Sequence, residues 1–157
     1  MMTFEEAKTI LAALEREGVR YVLVGSMGMA AQGLVRATRD IDFFVSPDPE
    51  NVERLRRALK SVFDDPRIDE ISADDLSGAY PAIEYVPPHG RYSMDILARL
   101  GEAFRYEDLE SEEMLVDGIR VQVATPRMLW RMKKDTIRPS DRRDAEMIRR
   151  QFNLEEE

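Results

Sequence analysis

The sequence predicts one α+β domain over residues 1–157, in which a mixed sheet is flanked by helices and closed by a helical C-terminal end. Apolar runs of strand length alternate with segments of helical spacing, two turn signals favour hairpins, and the chain beyond residue 124 shows helical spacing alone. A chain of 157 residues with 43% hydrophobic residues can bury one core and is short for two. We therefore expect a core of about residues 3–124 and C-terminal helices of about 125–151.

The predicted helices rest on apolar spacing and on recognisable starts. Thr3 and Glu6 form a capping box, in which each side chain can satisfy a free amide at a helix start. Thr125 followed by Pro126 is a second such start, a cap with proline in the first turn. The predicted helices span about residues 4–18, 27–32, 51–63, 102–113, 125–136 and 140–151.

The predicted strands are short apolar runs bounded by turn residues. A Pro-Pro-His-Gly turn at 87–90 and an Asp-Gly turn at 117–118 each predict a β-hairpin. The acidic segment 64–80 reads as irregular, with a short strand around Ile68 and Ile71 as an option. The predicted strands span about residues 20–24, 40–45, 82–86 and 91–97, together with the two arms of a hairpin over 114–123.

The composition excludes several kinds of site. The absence of cysteine excludes disulfides and thiolate metal sites, and the single histidine, His89, lies in the first of these turns and is expected to be a loop residue. No apolar run approaches the roughly 18 residues of a membrane helix, so no membrane partner is expected. The absence of cysteine favours a cytoplasmic protein, and the acidic, amphipathic start is unlike a secretion signal.

The net charge of −8 is unevenly distributed. Residues 126–151 hold nine Lys/Arg and four Asp/Glu, a local charge of +5 that leaves −13 for the remainder. Such asymmetry is typical of a surface that meets phosphate, but also of a solvated pair of helices. The acidic remainder argues against general binding of nucleic acid.

Two carboxylates lie inside an apolar strand, in the sequence Asp-Ile-Asp-Phe-Phe-Val. Alternation along a strand puts Asp40 and Asp42 on one face, where they repel each other and need a cation, either an arginine or a divalent metal. Asp95 is a third acid in an apolar strand, and three acids with open coordination positions suit one or two Mg²⁺ ions. The structural alternative is a strand-end cap at Asp40, an arginine partner for Asp42 and a solvent-facing Asp95.

Gly25 and Ser26 follow the first strand and precede a short helix. Glycine allows a ligand to approach the backbone closely, and the free amides of a helix start favour an anion. Ser26 is alternatively a plain helix N-cap. A phosphate held here would lie one strand away from Asp40 and Asp42.

These residues resemble the nucleotidyltransferase superfamily that shares the DNA polymerase β catalytic fold. Its pattern is an apolar residue, Gly, then Gly or Ser, a gap, Asp-apolar-Asp/Glu-apolar, and later an Asp between apolar residues. The residues that match this pattern are Gly25, Ser26, Asp40, Asp42 and Asp95.

Within the superfamily, the chain is similar to the small bacterial and archaeal stand-alone members linked to abortive infection and toxin–antitoxin pairs. Those members often show Gly-x-x-Arg-x-Thr-x-Asp-apolar-Asp, followed by closing helices with a lysine and a late acid. Lys133 matches the lysine, and either Asp141 or Asp144 matches the acid. The residues that match the first of these motifs are Gly33, Arg36, Thr38, Asp40 and Asp42.

The resemblance implies transfer of a nucleoside monophosphate from an NTP such as ATP to an acceptor hydroxyl, with release of pyrophosphate. Asp40 and Asp42 would hold Mg²⁺, and Asp95 would bind a second ion or act as base. Gly25 and Ser26 would bind the β- and γ-phosphates.

Three basic residues have weaker roles in this resemblance. Lys133 would reach the triphosphate, with an exposed helix face as its alternative. Arg36 and Arg39 would offset charge at the site, and a surface role is the alternative for Arg39.

The implied partners are an acceptor protein or tRNA and a toxin or antitoxin protein. The alternative function is a non-catalytic module of the same fold that binds a nucleotide or a partner protein.

Overall fold

The structure, a computed structural model, describes residues 2–34 and 38–155. Two short 3₁₀ segments, Pro66–Glu70 and Tyr106–Asp108, accompany the helices and strands. The helices are α1 (Phe4–Arg16), α2 (Gly25–Ala31), α3 (Pro49–Val62), α4 (Ala73–Ser77), α5 (Pro126–Lys134) and α6 (Pro139–Gln151). The strands are β1 (Tyr21–Val24), β2 (Asp40–Val45), β3 (Ala82–Tyr85), β4 (Ser93–Leu97), β5 (Arg99–Leu100), β6 (Phe104–Arg105), β7 (Ser111–Val116) and β8 (Ile119–Ala124).

Six strands form one mixed sheet in the order β3-β4-β2-β1-β8-β7. The β2–β4 and β1–β8 pairs are parallel, whereas β1–β2, β3–β4 and β7–β8 are antiparallel. Strands β5 and β6 form a separate two-stranded ribbon. The predicted α+β class and both predicted hairpins are confirmed.

One face of the sheet, here called the closed face, is largely apolar and is covered by α1 and α3. The strands contribute side chains such as Ile41 and Phe43, and the helices contribute Leu14 and Leu55, all of them fully buried. The predicted capping box fixes the start of α1, since both reciprocal hydrogen bonds between Thr3 and Glu6 are present. This face is the main hydrophobic core.

The other face, here called the open face, is covered in part by α5 and α6. Val22, Val24 and Phe44 pack against Leu129 and Trp130 in a second apolar cluster. Thr125 caps α5, with its hydroxyl accepting a hydrogen bond from the amide of Met128 at 3.2 Å. The two C-terminal helices therefore cover β1 and the Phe44 end of β2 on this face.

Two predicted elements are wrong. The segment 102–113 is not a helix, because Phe104 pairs with Leu100 across a tight turn and Ser111–Val116 pairs along β8. The option of a strand around Ile68 and Ile71 is also wrong, since a 3₁₀ turn and α4 occupy this region. Both isoleucines are buried, so apolar spacing alone did not distinguish a strand from tight helical turns.

The remaining differences are shifts of element ends. Helix α2 begins at Gly25, and α5 ends at Lys134. Arg36 lies outside the described residues. None of the described helices combines the length and the apolar character needed to cross a bilayer.

Candidate active site

The centre of the candidate site is a pair of aspartates on neighbouring parallel strands. Asp42 of β2 lies in register with Asp95 of β4, and their carboxyl groups are close enough to share a hydrogen bond when one of them is protonated. Burial, this hydrogen bond and the negative charges of Asp95 and Asp40 raise the pKa of Asp42 to about 7. The spacing along the sequence placed both acids in strands, and the parallel pairing brings them together.

Gly25 closes the site next to Asp42. Its φ angle is +66°, and a Cβ atom at this position would overlap the Asp42 Oδ2 atom. Glycine is therefore required both by the backbone conformation and by the close approach of the carboxylate. Val24, the residue before it, is paired with Asp42 across the antiparallel β1–β2 ladder.

Ser26 lies in the first turn of α2 and is half-buried. It is not the N-cap residue, because that position belongs to Val24, whose side chain makes no capping bond. The N-cap alternative is therefore wrong, and the role of Ser26 in phosphate binding stays a prediction.

Asp40 stands apart from the aspartate pair. It is exposed at the start of β2, and its Oδ1 atom accepts a 2.6 Å hydrogen bond from the Ser93 hydroxyl. The Thr38 hydroxyl fixes the entry to the strand, accepting from the Asp40 amide at 3.1 Å and donating to the Asp40 carbonyl at 2.9 Å. Asp40 shares the face of Asp42 and acts on it through charge, while Arg39 beside it is exposed.

Lys133 faces the site from α5. Its side chain is only 12% exposed, and its Nζ atom lies 2.9 Å from Asp144 Oδ2 and 3.6 Å from Asp141 Oδ1. The exposed-face alternative for Lys133 is therefore wrong. Its positive charge acts to lower the pKa of Asp42, against the larger effects that raise it. Asp144 is buried beneath it and holds the ammonium group in position.

A cavity of about 510 Å³ connects these groups. Gly25, Asp42 and Asp95 line it on the sheet side, and Lys133 lines it on the helix side. The apolar part of its wall consists of side chains such as Phe44, Leu97, Leu100, Leu129 and Met132. The structure thus brings four of the predicted residues into one cavity, whereas Asp40 and Ser26 lie outside its lining.

Glu84 also lines the cavity, and the sequence analysis did not identify it. It is paired with Asp95 across the antiparallel β3–β4 ladder, so both side chains share one face. The sequence did not give this pairing, because counting outward from the 87–90 turn pairs Glu84 with Ser93, two residues away from its observed partner. The observed register of the hairpin extends the acidic pair into a row of three.

The residues present fit a hard divalent cation such as Mg²⁺. Asp42 Oδ1 is buried and has no hydrogen-bond partner among the described residues, and its neighbour Asp95 repels it when both are ionised. Carboxylate oxygens are ligands that Mg²⁺ favours. Within residues 2–34 and 38–155, however, no three His, Cys, Asp or Glu side chains form a ready-made metal cluster. Asp40 would have to turn from Ser93 to complete one.

The chain is similar to known nucleotidyltransferases in sequence pattern and in fold. A family model described as "Nucleotidyl transferase AbiEii toxin, Type IV TA system" matches residues 9–134. A Thermotoga maritima protein described as a nucleotidyltransferase has a TM-score of 0.58 and 18% identity, over 97% of this chain and 96% of that chain. No curated protein matches the chain.

Two antibiotic-modifying enzymes share the same architecture. The lincosamide adenylyltransferase LnuA, solved with lincomycin bound, has a TM-score of 0.61 and 13% identity, over 94% of this chain and 97% of that chain. ANT(2″)-Ia, solved with adenylyl-2″-tobramycin, has a TM-score of 0.57 and 14% identity, over 93% of this chain and 87% of that chain. At these identities the likeness shows a shared fold, and it confirms the nucleotidyltransferase fold expected from the sequence.

Proposed function

Because the chain belongs to the AbiEii family of nucleotidyl transferase toxins, we propose that it is an Mg²⁺-dependent nucleotidyltransferase. It transfers a nucleoside monophosphate from an NTP to an acceptor hydroxyl. The acceptor oxygen bonds to the α-phosphorus, the bond from that phosphorus to the bridging oxygen breaks, and pyrophosphate leaves. A protein or a tRNA supplies the hydroxyl, and the family name supports an antitoxin partner.

The observation that carries this proposal is the pairing of Asp42 with Asp95 directly beside Gly25. Two carboxylates that repel each other in a half-buried cavity are unfavourable in a purely structural role. They are useful where a metal ion and a phosphate must be held rigidly. The cavity beside them has room for a ligand of nucleotide size.

The roles of the acidic residues follow from their positions. Asp42 and Asp95 hold Mg²⁺, with Asp40 as a further ligand after it leaves Ser93. When bound, Mg²⁺ supplies charge neutralisation for the triphosphate and lowers the pKa of the attacking hydroxyl. Asp95, on the far side of Asp42 from Gly25, accepts the proton of the acceptor hydroxyl or binds a second ion.

The remaining contacts to the nucleotide come from the first turn and from the C-terminal helices. Gly25 and Ser26 bind the β- and γ-phosphates at the start of α2. Lys133, held by Asp144, contacts the triphosphate from the opposite wall of the cavity. The sequence resemblance also assigns Arg36 to nucleotide binding, and this assignment stays a prediction.

The test is transfer of label from each α-labelled NTP in the presence of Mg²⁺ and either host lysate or tRNA. We expect label on an acceptor with the wild-type protein, and none after chelation of Mg²⁺ or with Asp42→Asn. Asp64→Asn is the matched control, because Asp64 is exposed and lies outside the cavity. Label that persists in Asp42→Asn would overturn the proposed site.

The position of Asp40 favours one competing candidate, a non-catalytic module that binds a nucleotide or a partner protein. In such a module Asp40 keeps its bond to Ser93 and no metal cluster forms. The same assay separates the two functions. NTP binding without transfer to any acceptor, by a protein that is folded and loaded with Mg²⁺, supports the module.

A further inference from the structure

The acidic row, which consists of Asp42, Asp95 and Glu84, runs across the open face of the sheet from β2 to β3. Val24, Asp42, Asp95 and Glu84 are successive partners on β1, β2, β4 and β3. Gly25 follows Val24 at one end of the row, and Glu84 lies at the other end on the outermost strand. The two ends of the cavity therefore differ in chemistry, with backbone amides at one end and a carboxylate at the other.

Because the two ends of the cavity differ, the NTP and the acceptor should bind at opposite ends of the acidic row. With the triphosphate at Gly25, the leaving pyrophosphate lies at the β1 end of the row. In-line displacement puts the attacking oxygen on the opposite side of the α-phosphorus, which is the β3 end. The acceptor must therefore approach past Asp95, next to Glu84.

We propose that Glu84 is a specificity-determining residue that selects an acceptor with an ammonium or guanidinium group close to the reacting hydroxyl. This inference rests on the proposed transferase function and names the acceptor class of the same site. Glu84 is exposed and makes no hydrogen bond or ion pair with another described residue, so its carboxylate is available to a ligand. A charge-assisted hydrogen bond to a cation is the strongest contact that it can offer.

The other charges of the cavity leave Glu84 uncompensated. Lys133 is held by Asp144, and Arg138 donates a 3.2 Å hydrogen bond to Asp141, so both cations of the lining already face carboxylates. Mg²⁺ held by Asp42 and Asp95 would leave Glu84, on the next strand outward, without a cationic side chain among the described residues as its partner. The phosphates of a nucleic-acid acceptor would therefore meet unfavourable charge at this end.

Exposed apolar side chains belong to the cavity lining or lie next to lining residues along the chain. Leu100 lines the cavity and is 48% exposed. Tyr80 precedes the cavity-lining segment of β3 and is 89% exposed, while Ile137 lies between two lining residues and is 88% exposed. An exposed aliphatic side chain in the same cavity lining as a carboxylate suits a cationic group on an apolar body.

The test compares Glu84→Gln and Glu84→Lys with wild type. Each protein is incubated with Mg²⁺, labelled NTP and one of three acceptor fractions: host polypeptides, host small molecules or bulk tRNA. The matched control is Glu113→Gln, because Glu113 is an exposed glutamate on β7, the other edge strand. Stabilisation by Mg²⁺ and release of pyrophosphate with water as acceptor report whether the catalytic centre is intact.

We expect label in the polypeptide or the small-molecule fraction, and the fraction that carries it identifies the source of the cationic acceptor. Glu84→Gln should lower this labelling at least about tenfold, and Glu84→Lys should lower it further. The loss of labelling should exceed any loss of stabilisation by Mg²⁺ or of pyrophosphate release into water, because neither of these involves a cationic acceptor. Glu113→Gln should behave as wild type.

Two results would overturn the inference while leaving the transferase function in place. One is wild-type labelling by both Glu84 variants, and the other is labelling of tRNA that increases in Glu84→Lys. Absence of any Asp42-dependent labelling by the wild-type protein would instead overturn the proposed function, and the role of Glu84 with it.

Discussion

The closed and open faces of the sheet are built from the same strands but differ in what they bury. On β2, Ile41 and Phe43 point to the closed face and are fully buried in an apolar core. Their neighbours Asp40 and Asp42 point to the open face, where Asp42 meets Asp95 and is left with an oxygen that no described residue satisfies. The closed face therefore contributes stability throughout, whereas the open face combines a stabilising apolar cluster around Phe44 with carboxylates that cost stability and are held at fixed positions.

The largest difference between the faces should appear in catalysis. Asp42→Asn preserves the shape of the side chain and removes its charge, so we expect nucleotide transfer to fall by about 1,000-fold. Initial rates of label transfer measure this effect. A substitution on the closed face that leaves the protein folded should not alter the rate of transfer per folded molecule. A loss of about 1,000-fold from such a substitution would contradict the assignment of catalysis to the open face.

The closed face should dominate stability. Leu55→Ala removes a fully buried side chain of α3, and we expect the free energy of unfolding to fall by about 2–5 kcal/mol. Urea denaturation measures it. Leu115→Ala is the control, because Leu115 is largely exposed on β7 and its replacement should change stability by less than about 0.5 kcal/mol. Equal effects of the two substitutions would be incompatible with a core on this face.

Alanine substitutions at Gly25 and Gly90 distinguish the cost of backbone strain from the cost of displacing the Asp42 carboxylate. Both have a positive φ angle, +66° and +69°, but only Gly25 faces Asp42, whereas nothing lies within 4 Å of a Cβ at Gly90. Gly90→Ala should cost about 1–2 kcal/mol from backbone strain alone. Gly25→Ala should cost about 2–4 kcal/mol, because it adds the displacement of a carboxylate to the same strain. Thermal unfolding compares the two, and equal costs would mean that Gly25 makes no close contact.

The smallest effect should be a gain in stability. An aspartate whose pKa is raised to about 7 in the folded protein binds a proton that the unfolded chain has already released. Its unfavourable contribution is absent below the ordinary aspartate pKa, grows as the pH rises towards 7, and is complete above 7. Without Mg²⁺, Asp42→Asn should therefore be about 1–3 kcal/mol more stable than wild type at pH 8.

The same comparison at pH 4 provides the internal control for this gain. Asp42 is protonated there in the folded protein, so the two proteins should have nearly the same stability. Unfolding at both pH values measures the difference, and a gain that is independent of pH would contradict the shifted pKa of Asp42.

Local sequence was sufficient where short-range chemistry decides the conformation. The capping box at Thr3 and Glu6, the cap at Thr125 and the two hairpin turns are all present because each depends on residues that are close in sequence. The segment 102–113 failed for the opposite reason. Its strands form through pairing with β5 and β8, and its helical spacing carried no information about those partners.

The candidate active site shows the same difference between what nearby residues decide and what distant partners decide. The sequence identified Asp42 and Asp95 because acids are conspicuous in apolar strands, but it gave equal status to Asp40. In the folded protein Ser93 holds Asp40 away from the cavity. Glu84 went unnoticed because an acid in a short edge strand is unremarkable until its partner across the hairpin is known to be Asp95.

The sequence by itself determined which residues are buried in strands, which faces they share along each strand, and where the turns fall. Those properties follow from side-chain alternation and turn chemistry, which act over a few residues. Only the tertiary structure decided that β4 lies beside β2 in register, that Lys133 is held over the cavity by Asp144, and that Glu84 completes the row. Pairings between distant segments are set by the packing of the whole chain, because many registers satisfy the local pattern and few of them bury both apolar clusters at once.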